Sequence, residues 1–233
     1  IESGGPASVD FARTQARKQS IVDGLVKGIA AMCKGRKVEV FNGVGALGAN
    51  RTVSVSMADG SSATITGDAV MLASGSVPRL IPNLERGGPI MTSDEVLDLT
   101  TVPPRVAVIG GGAIGCEFAS TFADLGSEVT ILEGLPKILP GLDADLAKVV
   151  EKSFKKKKIA IRTGVMVNGH TPNAFGGTTV SFGDGESVEV DAVVGSKAHG
   201  RVKPHASIFV AALEALDVSP AETVMVGDSY EDD

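Results

Sequence analysis

One stretch constrains the fold of this chain more than any other. Val106–Ile109 reads as a buried-type strand, and it runs straight into Gly110-Gly111-Gly112-Ala113-Ile114-Gly115. Ile114, Phe118, Phe122 and Leu125 then recur at helical spacing, Gly126 closes that helix, and Val129–Leu132 is the next strand. Strand, glycine turn, helix and strand in this order predict a Rossmann-like βαβ unit in an α/β protein. Gly110 permits the tight turn, Gly112 lets the backbone approach a pyrophosphate, and Gly115 lets the helix lie close on the strand. Phosphates would rest at the helix N-terminus, where free N–H groups and the helix dipole favour negative charge. Glu133 stands at the end of the second strand, eighteen residues after Gly115. Its carboxylate can accept hydrogen bonds from the adenosine ribose 2′- and 3′-hydroxyls and repels a 2′-phosphate, so the expected cofactor is NAD over NADP. The competing reading is a glycine-rich turn with an exposed glutamate after a strand.

Composition narrows the alternatives. The 233 residues carry 28 acidic against 22 basic side chains, a net charge of −6 that offers no basic surface for nucleic acid. No apolar run approaches the roughly twenty residues of a membrane span. Glycine is abundant, at 29 residues, against one tyrosine and no tryptophan, which suits tight strand-to-helix turns. Cys33 and Cys116 lie in helical patterns and read as core or half-buried thiols rather than a redox pair. His170, His199 and His205 occur singly, without partners at metal-ligand spacing. The chain begins at Ile1 with no targeting character, so the expectation is a cytoplasmic or mitochondrial-matrix protein cut from something longer.

On either side of the glycine turn the pattern is less regular. A helix is predicted over residues 8–33, and strands over Val38–Phe41, Thr52–Ser56, Ala63–Thr66 and Ala69–Ala73, with Asp59-Gly60 as a hairpin turn. Thr92 and Glu95 have capping-box spacing for a short helix through Leu99. A helix over about Leu142–Lys157 is expected to turn Leu146, Val149, Val150 and Phe154 inward. Two acids at Asp143 and Asp145 and the lysines 155–158 suit the two ends of its dipole. Ile159–Ile161, Thr178–Phe182 and Val188–Val194 continue as strands. These readings divide the chain at residues 1–95, 96–195 and 196–233.

The segments GGGAIGCEFASTFADLGSEVTILE and ILPGLDADL resemble the NAD domain of dihydrolipoyl dehydrogenases. DFARTQARKQSIVDGL, TGDAVMLASGSVP and TSDEVLDL extend the likeness over some 185 residues, from about 10 to 194. The resemblance implies that Gly110, Gly111, Gly112, Ala113, Ile114, Gly115 and Glu133 bind NAD, with Val165 at the adenine. It puts Glu117 near the nicotinamide, although a solvated helix glutamate reads equally well. It also makes residues 1–95 part of an FAD-binding domain, with Gly45 where the adenine end packs and Ala73, Ser74 and Gly75 beside the flavin. Family membership further implies a lipoyl-bearing 2-oxo acid dehydrogenase complex as partner, and a homodimer.

Several family features are missing from this sequence. It contains no N-terminal glycine fingerprint for the FAD pyrophosphate, no Cys-x4-Cys pair and no dimerisation domain. After Gly195 the character changes. Lys203-Pro204 and Gly227-Asp228 with Asp232 resemble the end of haloacid-dehalogenase-like phosphatases, which implies a phosphate contact at Lys203 and Mg²⁺ ligands at Asp228 and Asp232. A rival reading makes Gly227-Asp228 a second FAD segment. The expectation is an NAD-binding dihydrolipoyl dehydrogenase fragment with a short α/β tail. The alternatives are a Mg²⁺-dependent phosphohydrolase fragment and a non-catalytic NAD-binding module.

Overall fold

The computed structural model describes residues 9–75, 78, 81, 83–174, 176–195 and 219. Within it the chain falls into two compact units, divided at Ser20/Ile21 and at Ser76/Val77. Helix α1 (Phe11–Gly35) runs across the first of these boundaries. In the unit that follows Ile21, strands β1 (Gly43–Leu47), β2 (Thr52–Met57) and β3 (Ser62–Thr66) form an antiparallel sheet in sequence order. Gly60, at φ +84°, turns the β2–β3 hairpin where Asp59-Gly60 predicts it.

Two expectations for this unit fail. The strand predicted over Val38–Phe41 forms five residues later, at β1, because Gly43-Val44-Gly45 pairs with Met57-Ser56-Val55 of β2. Ala69–Ala73 is not a strand; Val70, Met71 and Leu72 are exposed, and among the described residues no strand pairs with them. The apolar stripe of α1 is equally bare, for Ile21, Leu25, Ile29 and Met32 are all more than half exposed. The periodicity is real, but no residue of that helix is buried.

The other unit carries the core. Its elements are β4 (Ile90–Thr92), α2 (Ser93–Val96), β5 (Arg105–Ile109), α3 (Ala113–Asp124), β6 (Glu128–Glu133), α4 (Ala144–Lys156) and β7 (Ala160–Thr163). Strands β8 (Val167–Pro172), β9 (Thr178–Phe182), β10 (Glu186–Val190) and β11 (Ala192–Gly195) complete it. Five strands make a wholly parallel sheet in the order β4-β11-β5-β6-β7, while β8, β9 and β10 form an antiparallel meander. Alternation along each strand builds two cores, as expected of a parallel sheet buried on both faces. Val106, Val108, Val129, Ile131, Ala192 and Val194 point to one, with Ala119 and Phe122 of α3 and Phe154 of α4. Ala107, Ile109, Leu132 and Val193 point to the other, against Val180, Phe182 and Val190 of the meander.

The capping box forms as predicted: the Thr92 side chain accepts from the Asp94 amide and Glu95 reaches back to the Thr92 amide at 2.7 Å. Three details differ. Helix α4 buries Ala147 and Phe154 and half-buries Val150, which turns Leu146 and Val149 out to solvent. The run Val188–Val194 is two strands broken at Asp191. Strands β4 and β8 had no predicted counterpart, being short or interrupted by Gly169 and Pro172.

The break at Asp191 has a visible cause. Its carboxylate takes the Arg105 guanidinium at 2.9 and 3.0 Å and the Arg105 amide at 3.1 Å, so β5 starts where β11 starts. Glu189 accepts a further bond from the same guanidinium at 3.0 Å. The Arg105 hydrogen bonds hold the Asp191 carboxyl below the usual carboxylate range. A depressed acid stabilises the fold fully above its unfolded value, about 3.9, and loses that contribution as the pH falls through the lower folded value. Urea midpoints of the native chain and of Asp191→Asn should therefore differ near neutral pH and converge below about pH 4. A difference that stays constant across that range would exclude this ion pair as its source.

Candidate functional site

Strand register sets the site. Ile109 pairs with Leu132, so Gly110 and Glu133 leave adjacent parallel strands side by side at their carboxyl ends. In open α/β sheets ligands bind at this edge, where the strand order reverses; here the chain runs from β5 to β6 and β7 on one side and returns to β11 on the other side of β5. Gly110 turns at φ +108°, a conformation that favours glycine, and its amide donates to Leu132 O at 2.9 Å. Gly112 is the N-cap of α3 and supplies no side-chain cap, so the first-turn amides of Ala113, Ile114 and Gly115 have no partner within the helix. Those donors, on the positive end of the helix dipole, suit a pyrophosphate.

Glu133 sits against this turn. One carboxylate oxygen accepts the Gly111 amide at 2.5 Å and the other accepts the Leu135 amide at 2.7 Å. The Glu133 carbonyl accepts the Val165 amide at 3.0 Å, which brings the position expected at the adenine next to the acid expected at the ribose. The glycine turn, Glu133 and Val165 thus form one cluster.

Sequence reasoning missed what holds Gly111. Its carbonyl accepts the Leu139 amide at 2.7 Å and the Cys116 thiol at 3.4 Å. Ile138 is fully buried against it, and a Cβ placed on Gly111 would lie 2.7 Å from Ile138 Cγ2. Gly111 is therefore glycine for lack of room. The signal was the apolar run Ile138-Leu139 soon after Glu133, which is unusual in a loop between strand and helix.

Helix α3 presents Glu117 to solvent on the wall of an open groove of about 430 Å³, beside Ala113 and Thr121 and facing Val150 and Phe154 of α4. Cys116 is buried beneath it. Burial, and then the negative charges of Glu133 and Glu117, push its thiol up to about 11.

The residues expected at FAD lie in the other unit. Gly45 is on β1, where an added Cβ would lie 3.4 Å from Val53 Cγ1. Ala73, Ser74 and Gly75 follow β3 in exposed, irregular chain, Gly75 with φ +73°. Lys203, Asp228 and Asp232 lie outside the described residues, as do His199 and His205. Among the described residues no cluster of three His, Cys, Asp or Glu side chains could hold a metal, and no helix is long and apolar enough to cross a membrane.

A sequence profile described as pyridine nucleotide-disulphide oxidoreductase matches residues 3–205. The chain belongs to this family. Dihydrolipoyl dehydrogenase of Pseudomonas aeruginosa is 36% identical over 185 residues, covering 79% of this chain and 39% of the relative. The enzyme of Geobacillus stearothermophilus gives the same identity and coverage. The chain therefore spans about two fifths of the length of these relatives. Among solved structures, LpdA from Mycobacterium tuberculosis has a TM-score of 0.78 at 26% identity, covering 92% of this chain and 47% of that one. The Cu(II) complex of the HOCl-induced flavoprotein disulfide reductase RclA from Escherichia coli gives 0.76 at 27%, covering 91% and 47%. A haloacid dehalogenase-like hydrolase profile matches residues 187–233, the end of the chain that resembles those phosphatases.

Two outcomes follow from the packing around Gly111. Gly111→Ala should cost about 1–3 kcal/mol in denaturant unfolding, the scale of an overpacked core, and clearly less when Ile138 is also alanine. Equal costs in both backgrounds would exclude Ile138 as the obstacle. Near pH 8 a thiol titrating at about 11 is on the order of one part in a thousand thiolate, so Cys116 should be alkylated far more slowly in the native chain than after unfolding. Equal rates in the two states would contradict its burial.

Proposed function

We propose that this chain binds NAD, in preference to NADP, at the carboxyl ends of β5 and β6, as the nucleotide half of a dihydrolipoyl dehydrogenase-like protein. The observation that carries the proposal is the Glu133 carboxylate lying 2.5 Å from the Gly111 amide, at the mouth of a helix whose first-turn amides are open. The pyrophosphate would take the amides of Gly112, Ala113, Ile114 and Gly115. Glu133 would accept the ribose hydroxyls, with Val165 at the adenine and Glu117 toward the nicotinamide. When bound, NAD supplies the hydride acceptor; the chain's own residues orient it and neutralise its phosphates with backbone dipoles rather than charged side chains.

The domain division supported by the resemblance is a partial FAD-binding part over residues 1–95, an NAD-binding part over 96–195 and a tail over 196–233. The whole reaction implied is oxidation of dihydrolipoamide by NAD⁺ through FAD and a cysteine pair, on a lipoyl-bearing 2-oxo acid dehydrogenase complex. This sequence has no Cys-x4-Cys pair, and its other G-x-G-x-x-G match, Gly43 to Gly48, lies along β1 in the antiparallel sheet instead of opening a helix, so by itself the chain would bind NAD without turning over. The described residues offer FAD only the surroundings of Gly45 and Ala73-Ser74-Gly75, and no step is assigned to it.

The profile match over residues 187–233 favours a second reading, a Mg²⁺-dependent phosphohydrolase part using Lys203, Asp228 and Asp232. Hydrolysis of a phosphate ester that Asp228→Ala abolishes would support it.

Calorimetric titration of the full chain should detect NAD binding and weaker NADP binding, with no flavin absorbance in the purified protein. Glu133→Ala should weaken NAD by about 1–2 kcal/mol, roughly fivefold to thirtyfold, through lost hydrogen bonds to a charged acceptor. Unchanged NAD affinity would remove Glu133 from the site, and no NAD binding at all would remove the reading.

A further inference from the structure

We infer that the Glu133 carboxylate is an internal anion: it fills a two-amide seat, made by the N–H groups of Gly111 and Leu135, that would otherwise hold an oxyanion such as the 2′-phosphate of NADP. The inference rests on the NAD reading above for its ligand, but its structural half stands on the free chain.

The two donors come from different segments, one from the glycine turn after β5 and one from the loop after β6. Both end on one carboxylate, Gly111 at 2.5 Å on one oxygen and Leu135 at 2.7 Å on the other. Convergent backbone amides of this kind are a common form of anion site. The segments that carry them are also held by bonds that do not use the Glu133 side chain. The Leu135 carbonyl accepts the Gly164 amide at 2.9 Å, and the Gly111 carbonyl accepts the Leu139 amide at 2.7 Å beside buried Ile138. Removing the carboxylate would therefore leave two aimed, unpaired donors rather than a collapsed loop. Discrimination against a 2′-phosphate then has two parts. One is charge repulsion, and the other is that the donors a phosphate would need are already taken. The carboxylate's remaining lone pairs stay available to ribose hydroxyls, which donate and so add to the arrangement instead of competing with it.

Repulsion and occupancy separate in the variants Glu133→Gln and Glu133→Ala of the full chain. The glutamine is neutral, so it removes the repulsion, but its single acceptor oxygen still occupies part of the seat. Alanine empties it. NADP should bind Glu133→Ala about tenfold more tightly than Glu133→Gln, and inorganic sulfate should raise the melting temperature of the alanine variant more than that of the glutamine variant. Equal NADP affinities and equal sulfate shifts would leave repulsion alone and overturn the inference.

Amide exchange in the nucleotide-free chain, followed by NMR, tests the seat without any ligand. Gly111 and Leu135 should be protected in the native chain, with only one of them still protected in Glu133→Gln and neither in Glu133→Ala. The Gly110 amide, bonded to Leu132 O, should be unchanged throughout. If the glutamine variant protects both amides as the native chain does, the carboxylate does not hold them and the inference falls, whether or not the alanine variant folds. If this exchange pattern holds but the native chain binds no NAD, the functional reading fails while the seat stands.

Discussion

The contacts converging on Gly111 tie the site together. Its amide is held by Glu133, its carbonyl by Leu139 and Cys116, and the space where a side chain would go is filled by Ile138. These contacts join the end of β5, the start of α3 and the loop after β6 into one rigid mouth. A turn that binds a ligand by backbone amides must keep those amides aimed before the ligand arrives, because realigning them would consume binding energy. Here the aiming comes from ordinary hydrogen bonds and one buried isoleucine.

The parallel sheet makes this possible. Because Ile109 and Leu132 share a register, the strands deliver the turn and the acid to the same level without help from any long-range loop. Arg105 and Asp191 perform a similar service at the opposite end, fixing where β5 and β11 begin. The meander of β8, β9 and β10 covers the second face of the sheet, which keeps Ala107, Ile109 and Leu132 dry. Site geometry thus descends from strand pairing at both ends.

What could be read in the sequence depended on whether a signal was local. The glycine turn, the helix after it, the capping box at Thr92 and the Asp59-Gly60 hairpin are all set by neighbours a few residues apart, and each forms where expected. Signals that needed a partner misled. Val38–Phe41 and Ala69–Ala73 have the composition of strands, but a strand is defined by what lies beside it, and among the described residues nothing pairs with either. Leu146 and Val149 fit an inward stripe as well as Ala147, Val150 and Phe154 do; only the position of the sheet decides which face is buried. Ile138 and Leu139 could not be connected with Gly111 because nearly thirty residues separate them, and only the fold brings them together.

The cluster of glycine turn, Glu133 and Val165 forms in a chain spanning about two fifths of the length of its curated relatives. The turn, its acid and the residues hydrogen-bonded to them fall between Gly110 and Val165, and the strands that carry and cover them run on to Gly195. Mapping NMR shifts of the full chain on addition of NAD tests this most directly. The account predicts that the largest changes fall on the amides of Gly111 to Gly115, Leu135 and Val165. Saturating NAD that leaves these amides unmoved, or that moves a different cluster instead, would contradict it.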